Sequence, residues 1–290
     1  GNPFVVTTYK DLKEKMELTG DKYIQLGADI DTSGINGGYG LGSNDFVSAI
    51  GRSYLDLNGK KLTLKKSIIE SGGEIQFIRV TAGELIIKDS KGGGEIVGVN
   101  NVTRRYMRLI DVVAGAKLTL NSGRLHLETT PDNGVPNATI CSMGTVEING
   151  GTVSISKFDG QDEATGSVNK QNFALETINS VDGCYALING GTFDGRVLLT
   201  AVAKASGVAN NMITGGDFKK SIYIQKDKDV TGDVPLNVSI QGGTYHYTPG
   251  YYTRPANAPV FPGRKASDPE YLFQFATREF REKGLSHDGA

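Results

Sequence analysis

Tryptophan is absent from the 290 residues, and cysteine occurs twice, at Cys141 and Cys184, with no Cys-x-x-Cys pair. Two isolated cysteines exclude a disulfide framework and a zinc ribbon. No apolar run approaches the length of a membrane-spanning helix, so direct membrane insertion is not expected. Neither sign of charge dominates: 31 basic and 32 acidic residues leave a formal net charge of −1. Such a chain has no long-range field to draw in nucleic acid or an anionic membrane. Glycine, by contrast, is abundant at 39 residues, with no Gly-X-Y period, so collagen is excluded and many tight corners are expected.

The glycines carry a repeat. Alternating apolar residues lead to a polar residue and a Gly pair or its remnant, and another apolar strand follows. The pattern reads Leu120-Asn121-Ser122-Gly123-Arg124-Leu125, then Ile148-Asn149-Gly150-Gly151-Thr152-Val153, then Ile188-Asn189-Gly190-Gly191-Thr192-Phe193. It returns at Ile213-Thr214-Gly215-Gly216-Asp217-Phe218 and Ile240-Gln241-Gly242-Gly243-Thr244-Tyr245, with weaker forms at Gly59 and Gly94. Successive gaps are 35, 29, 28, 40, 25 and 27 residues, a mean of about 31. Hairpin meanders turn every 8 to 12 residues, whereas a period of this length built from short strands indicates a solenoid. Alternation predicts Leu118, Leu120, Leu125, Leu127, Val146, Ile148, Val153 and Ile155 inside, and Lys117, Thr119, Arg124, His126, Thr145, Glu147, Thr152 and Ser154 outside. Asn121, Asn149 and Asn189 then stack at one corner. A second lane matches Ile78–Gly83 to Ile110–Gly115, which sets Arg79 opposite Asp111 as an exposed pair. The same alignment puts Cys184 beside Gly144 rather than Cys141, and predicts two free thiols, Cys184 pointing inward.

The fold class is therefore all-β: a right-handed parallel β-helix, a single-stranded solenoid of about seven or more coils, forming one domain over 1–290. Thr8 with Asp11 resembles a capping box opening a short helix through about Leu18, within an N-terminal cap over 1–26. Coils are expected over 27–247, with Tyr23–Leu26 leading into the first. Residues 248–290 read as a C-terminal strap, rich in proline, and a capping helix signalled by Ser267, Pro269 and Glu270, carrying Tyr271–Ala276 and closed by Gly284.

Ile-Asn-Gly-Gly-Thr-Phe and Leu55-Asp56-Leu57-Asn58-Gly59-Lys60 resemble the pectin-lyase-like superfamily, and within it β-helix modules of secreted or surface proteins of gut-type bacteria, over roughly residues 4 to 247. The resemblance implies a secreted or cell-surface location. The chain opens Gly1-Asn2-Pro3-Phe4 without Met, so a leader is expected to have been trimmed. Polygalacturonase-like members carry Asn-x-Asp, Asp-Asp and Gly-His-Gly; pectate-lyase-like members carry Trp-Ile-Asp-His and Arg-x-Pro-x-x-Arg. None of these motifs occurs here. The leading expectation is a module that binds carbohydrate, or serves a structural or adhesive role beside neighbouring domains, without catalysis and with no catalytic residue assigned. The alternatives are a lyase or glycoside hydrolase acting on an acidic polysaccharide, and a trimeric adhesin or tailspike-like module.

Extra residues over 98–106, 129–138, 157–172, 201–210 and 225–234 are expected to project from one side as a loop wall, where binding residues sit on a rigid scaffold. Arg104, Arg105, Asp132, Asp159 and Asp162 are the candidate ligand-binding residues. The arginines, with Arg108, suit an acidic sugar's carboxylate. Asp159, Asp162 and Glu163 suit calcium, the one cofactor considered, or are simply solvated. Tyr245, Tyr247, Tyr251 and Tyr252, with His246 among them, suit stacking on sugar rings or covering the last coil. His126, between Arg124 and Glu128, is either a general base or part of a solvated strand face.

Overall fold

The computed structural model describes residues 2–67, 74–100, 107–129, 137–156, 172–178, 184–202, 211–220, 222–226, 237–245 and 250–251. Within them the chain passes in turn through three parallel sheets, of nine, eight and eight strands. Sheet A holds Phe4–Val6, Asp21–Leu26, Arg52–Asp56, Glu84–Lys88, Lys117–Leu120, Thr145–Ile148, Tyr185–Ile188, Asn211–Ile213 and Val238–Ile240. Sheet B holds Ile30–Asp31, Lys61–Lys66, Glu95–Asn100, Arg124–Glu128, Thr152–Ile155, Thr192–Asp194, Asp217–Phe218 and Thr244–Tyr245. Sheet C holds Val47–Ala49, Ile75–Val80, Met107–Val112, Asn137–Ser142, Asn172–Thr177, Arg196–Ala201, Ile222–Lys226 and Gly250–Tyr251. This is the parallel β-solenoid that the glycine period predicts.

Period-2 alternation sorts sheets A and B as expected. Leu118, Leu120, Leu125, Leu127, Val146, Ile148, Val153 and Ile155 are all buried in one continuous core. Two of the residues expected outside, Thr119 and Ser154, are buried as well. Thr119 donates to Glu84 Oε1 at 2.8 Å and the Ser154 hydroxyl meets His126 Nδ1 at 2.8 Å, so neighbouring coils cover them. At the corner between sheets A and B, Asn149 Nδ2 donates to Asn121 Oδ1 at 3.0 Å and Asn189 Nδ2 to Asn149 Oδ1 at 2.9 Å. The Thr214 hydroxyl continues the ladder onto Asn189 Oδ1 at 2.8 Å. Deeper in, Phe193, Phe218 and Tyr245 stack at 4.9 and 5.0 Å between centroids, within 6° of parallel.

A helix over Tyr9–Met16 covers the first coil, with Thr8 Oγ1 accepting from the Asp11 amide at 3.1 Å and Leu12 and Met16 buried beneath it. Lys22 Nζ donates to the carbonyls of Leu18 and Ile50, tying the chain beyond the helix to that coil. Phe4–Val6 adds a strand beside Asp21–Leu26, so sheet pairing begins inside the segment expected as a cap. Gly250–Tyr251 pairs with Tyr223–Ile224, which carries sheet C past residue 247 into the segment read as a strap. The C-terminal helix expected from Ser267 lies outside the described residues.

The single loop wall needs correction. The segments around 98–106, 129–138 and 157–172 do join sheet B to sheet C. Those around 201–210 and 225–234 join sheet C to sheet A, a different corner. The cause is Gly195. It turns Thr192–Asp194 directly into Arg196–Ala201, and a Cβ there would stand 2.7 Å from Ile155 and 2.9 Å from Ala174. Strand Arg196–Ala201 therefore precedes the extra residues of its coil.

The corner between sheets C and A stacks Gly20, Gly51 and Gly83, each with positive φ. A methyl group on Gly83 would run into the carbonyl of Gly51 below it, whereas one on Gly92, also at positive φ, would meet nothing within 4 Å. Gly92→Ala should therefore cost about 1 kcal/mol from φ alone. Gly83→Ala should cost roughly 3 kcal/mol, because coil spacing must yield as well. Denaturant unfolding of the two variants measures the difference, and equal costs would show that stacking does not constrain this corner.

Candidate functional site

Outside the core, the three sheets carry charge differently. On sheet A, Arg52 Nε meets Glu84 Oε2 at 3.3 Å, and Lys117 Nζ bridges Glu84 at 3.3 Å and Glu147 at 2.6 Å. On sheet B, Glu95 takes Lys61 Nζ at 2.8 Å and Arg124 at 2.7 Å. These rows alternate sign from coil to coil and neutralise themselves. His126 belongs to the sheet B row. Burial lowers its pKa, the charge of Arg124 adds to that, and its hydrogen bond is to Ser154 rather than to a carboxylate. Those features describe a neutral structural imidazole.

Sheet C departs from this. Its strands do not keep period 2: Phe77 and Ile78 both enter the core, as do Leu109 and Ile110 and then Ala174 and Leu175. Each strand turns two rows away from that core, and these are largely covered: Ala138, Cys141, Phe173 and Leu198 form a second buried cluster. One row aligns Gln76, Arg108, Ala138, Phe173 and Arg196. The other aligns Ser48, Arg79, Asp111, Cys141, Glu176, Leu198 and Tyr223, one residue per coil. At about 4.8 Å per strand this second row spans about 29 Å.

Arg79 and Asp111 face each other as the repeat predicts, with Nε 3.3 Å from Oδ2. Their expected exposure is wrong for the acid: the Asp111 side chain is 2% exposed, against 37% for Arg79. Arg108 is the reason. Its guanidinium folds over Asp111, giving one nitrogen to Asp111 Oδ1 at 2.9 Å and another to Glu74 Oε1 at 2.7 Å. Arg108 is thus committed to two carboxylates and is not a sugar clamp. Asp111→Asn should cost about 3 kcal/mol by leaving a buried guanidinium short of its counter-charge. Glu147→Gln, on the exposed sheet A row, should cost under about 1 kcal/mol.

Glu176 differs from Glu84, Glu95, Asp111 and Glu147, though not from the exposed Asp194 and Glu128 of sheet B, in meeting no cation among the described residues. Its hydrogen bond is from the Cys141 thiol, Sγ to Oε2 at 3.8 Å. Burial raises its pKa to about 7; Arg108 pulls it down and Glu74 pushes it up. Burial likewise pushes the Cys141 thiol well up, so that thiol is inert at neutral pH. Cys141 and Cys184 are both buried and do not form a disulfide with each other, as the register predicts.

The residues expected on the loop wall, Arg104, Arg105, Asp132, Asp159, Asp162 and Glu163, lie outside the described residues, as do Tyr247 and Tyr252. Tyr251 is placed by its backbone in sheet C. Tyr245 is fully buried, its hydroxyl donating to the Gly242 carbonyl at 2.5 Å, so its ring packs in the core and is closed to a sugar. Among the described residues, no group of three or more His, Cys, Asp or Glu is arranged to hold a metal. Sequence reasoning matched Arg79 with Asp111 but missed Glu176. Extending that same register two strands further reaches it.

The pH dependence of stability tests this environment. A carboxyl with a folded pKa near 7 and an unfolded value near 4.5 favours the folded state at low pH. Stability then falls as pH rises between those values and levels off above them. After discounting for partial exposure, the penalty at pH 8 is about 2 kcal/mol. Glu176→Gln should raise stability by that amount at pH 8 and leave it nearly unchanged at pH 4.5, read by denaturant unfolding. A variant no more stable than the parent at pH 8 would refute the raised pKa.

No protein-family model, curated protein or solved structure matches the chain. The fold therefore rests on the three sheets and their register, and the chemistry of the site on its residues.

Proposed function

We propose that the chain is a secreted or cell-surface β-helix module that binds an extended polysaccharide along the outer face of sheet C, without catalysis. The observation that carries this reading is the second outward row. It sets one side chain per coil at a spacing close to the rise of one sugar in an extended glycan. Arg79, Asp111, Cys141 and Glu176 come first, and Leu198 and partly exposed Tyr223 follow; Asp111, Cys141 and Leu198 are buried, so Arg79, Glu176 and Tyr223 are the members that reach the surface. Tyrosine offers an apolar ring and a polar tip, the combination that sugars engage. Sheet A keeps the same spacing and also turns tyrosine outward, with Tyr23 stacked on Tyr54 at 4.4 Å. The likeness of the glycine motifs to pectin-lyase-like modules of bacterial surface proteins agrees with this reading.

Glu74, Asp111 and Glu176 are balanced on this face by Arg79, Arg108 and Arg196, so charge count alone does not choose between neutral and anionic polysaccharides. A glycoside hydrolase is the second reading. One observation favours it: burial raises Glu176, and a second carboxylate, Asp111, lies on the same row. Their Cα atoms stand two strands, about 9.6 Å, apart.

Calorimetry against a panel of neutral, amino and acidic oligosaccharides tests the binding reading. Tyr223→Ala should weaken binding about tenfold, the worth of a stacked aromatic, while Glu147→Gln leaves it unchanged. Affinity that survives Tyr223→Ala combined with Arg79→Ala would move the site off sheet C. Release of reducing ends, abolished by Glu176→Gln with binding retained, would establish the hydrolase instead.

A further inference from the structure

We propose that Asn36 is a site of spontaneous covalent modification, an asparagine that its own backbone converts to aspartate and isoaspartate with water as the only co-reactant. The backbone nitrogen of Gly37 attacks Cγ of the Asn36 side-chain amide. The N–Cγ bond forms, the Cγ–Nδ2 bond breaks, and ammonia leaves with the proton that Gly37 gives up. Water then opens the five-membered imide. Cleavage of the ring nitrogen from Cγ yields aspartate, and cleavage from the backbone carbonyl carbon yields isoaspartate. Nothing is oxidised or reduced; one amide becomes one carboxylate. A glycine suits the second position because it has no Cβ to crowd the attacking nitrogen.

The dipeptide alone does not single out Asn36. Asn-Gly also occurs at Asn58-Gly59, Asn149-Gly150 and Asn189-Gly190, and at Asn133-Gly134 outside the described residues. Ring closure requires the Asn–Gly peptide plane to turn until the nitrogen reaches Cγ, and the three described corners are held against that turn. Gly59 donates its amide to Asp89 Oδ1 at 2.7 Å, and Asn58 Nδ2 donates to the Leu26 carbonyl at 2.9 Å. Gly190 donates its amide to the Ile148 carbonyl at 3.2 Å. Asn189 Nδ2 and Asn149 Oδ1 are joined in the side-chain ladder. A Cβ on Gly150 would stand 2.5 Å from the Asn121 carbonyl oxygen, and one on Gly190 would stand 2.6 Å from that of Asn149. The neighbouring coil therefore packs directly on both peptide planes. The turn at Asn36 is open instead. Asn36, Gly37, Gly38 and Tyr39 are exposed, and a Cβ on Gly37 or Gly38 would meet nothing within 4 Å. Asn36 Nδ2 donates to the Gly40 carbonyl at 2.8 Å, a bond within the turn itself. Asn58 is the internal control: its φ of 52° matches the 53° of Asn36, so dipeptide and local conformation agree and the covering coil differs. The product also has room. The new carboxylate arises in a turn whose Gly38 carbonyl already meets Lys65 Nζ at 2.8 Å.

Peptide mapping of the full chain, aged in heavy-oxygen water at mildly alkaline pH, tests the proposal. The peptide carrying Asn36 should gain one heavy oxygen and the mass change of an amide turned acid, with isoaspartate as the larger product. Peptides carrying Asn58, Asn149 and Asn189 should react about a hundredfold more slowly, because each reacts only after its coils separate. In denaturant all four should react at similar rates, which would show that the fold sets the order. Asn36→Gln should remove the label from its peptide and leave the rest of the map unchanged. A folded chain in which Asn36 reacts no faster than Asn58 overturns the proposal. So does an Asn36 that stays intact over the time in which the denatured chain reacts, or a label that persists in Asn36→Gln.

Discussion

Backbone hydrogen bonding from coil to coil is the constraint on which everything else in this chain depends. Each strand finds its donors and acceptors about 4.8 Å below and above it, in segments some thirty residues away in sequence. That pairing dictates corners. Where three sheets must turn within two or three residues and repeat in register, the backbone of one corner lies directly on the next. Gly51 and Gly83 meet carbonyl to Cα, and the Asn121–Asn149–Asn189 ladder uses side-chain amides to continue the stacking that the strands begin. The same constraint makes the first coil an open end, and the helix Tyr9–Met16 buries Leu12 and Met16 over it.

Register also decides electrostatics. In a solenoid, like positions of successive coils are neighbours, so a repeated charge would repel itself all along the axis. Sheets A and B avoid this by alternating sign, as in Arg52, Glu84, Lys117 and then, one position along, Glu147. Each such pair is exposed and individually weak. Their consequence is a pair of faces with little net field. Sheet C has its charges in a drier setting, where pairing matters more. Arg108 serves two acids there, and Glu176 is left with none.

How much of this was legible follows from which rule each element obeys. The corners were legible because positive φ and close backbone approach select glycine, and because asparagine stacks. The inward faces of sheets A and B were legible because period 2 holds through Leu118, Leu120, Leu125 and Leu127. Sheet C was not. At Leu109-Ile110 two consecutive residues face the core, which shifts the phase and hides Asp111 under Arg108. Gly195 gave no such signal, because it forms a corner without a Gly pair. Tyr245 looked like part of a polar aromatic cluster; its place in the Phe193–Phe218 stack depends on register alone.

The site was harder to see than the fold for a related reason. Its members, Arg79, Asp111, Glu176 and Tyr223, share no local motif, and each sits in an ordinary-looking strand. They become a set when the register is carried across six strands. A solenoid offers many outward positions at which glutamine would be easier to accommodate than a half-buried glutamate. At Glu176 burial raises the carboxyl while a thiol on the adjacent strand is its hydrogen-bond donor, an environment set by register across coils and by no local motif.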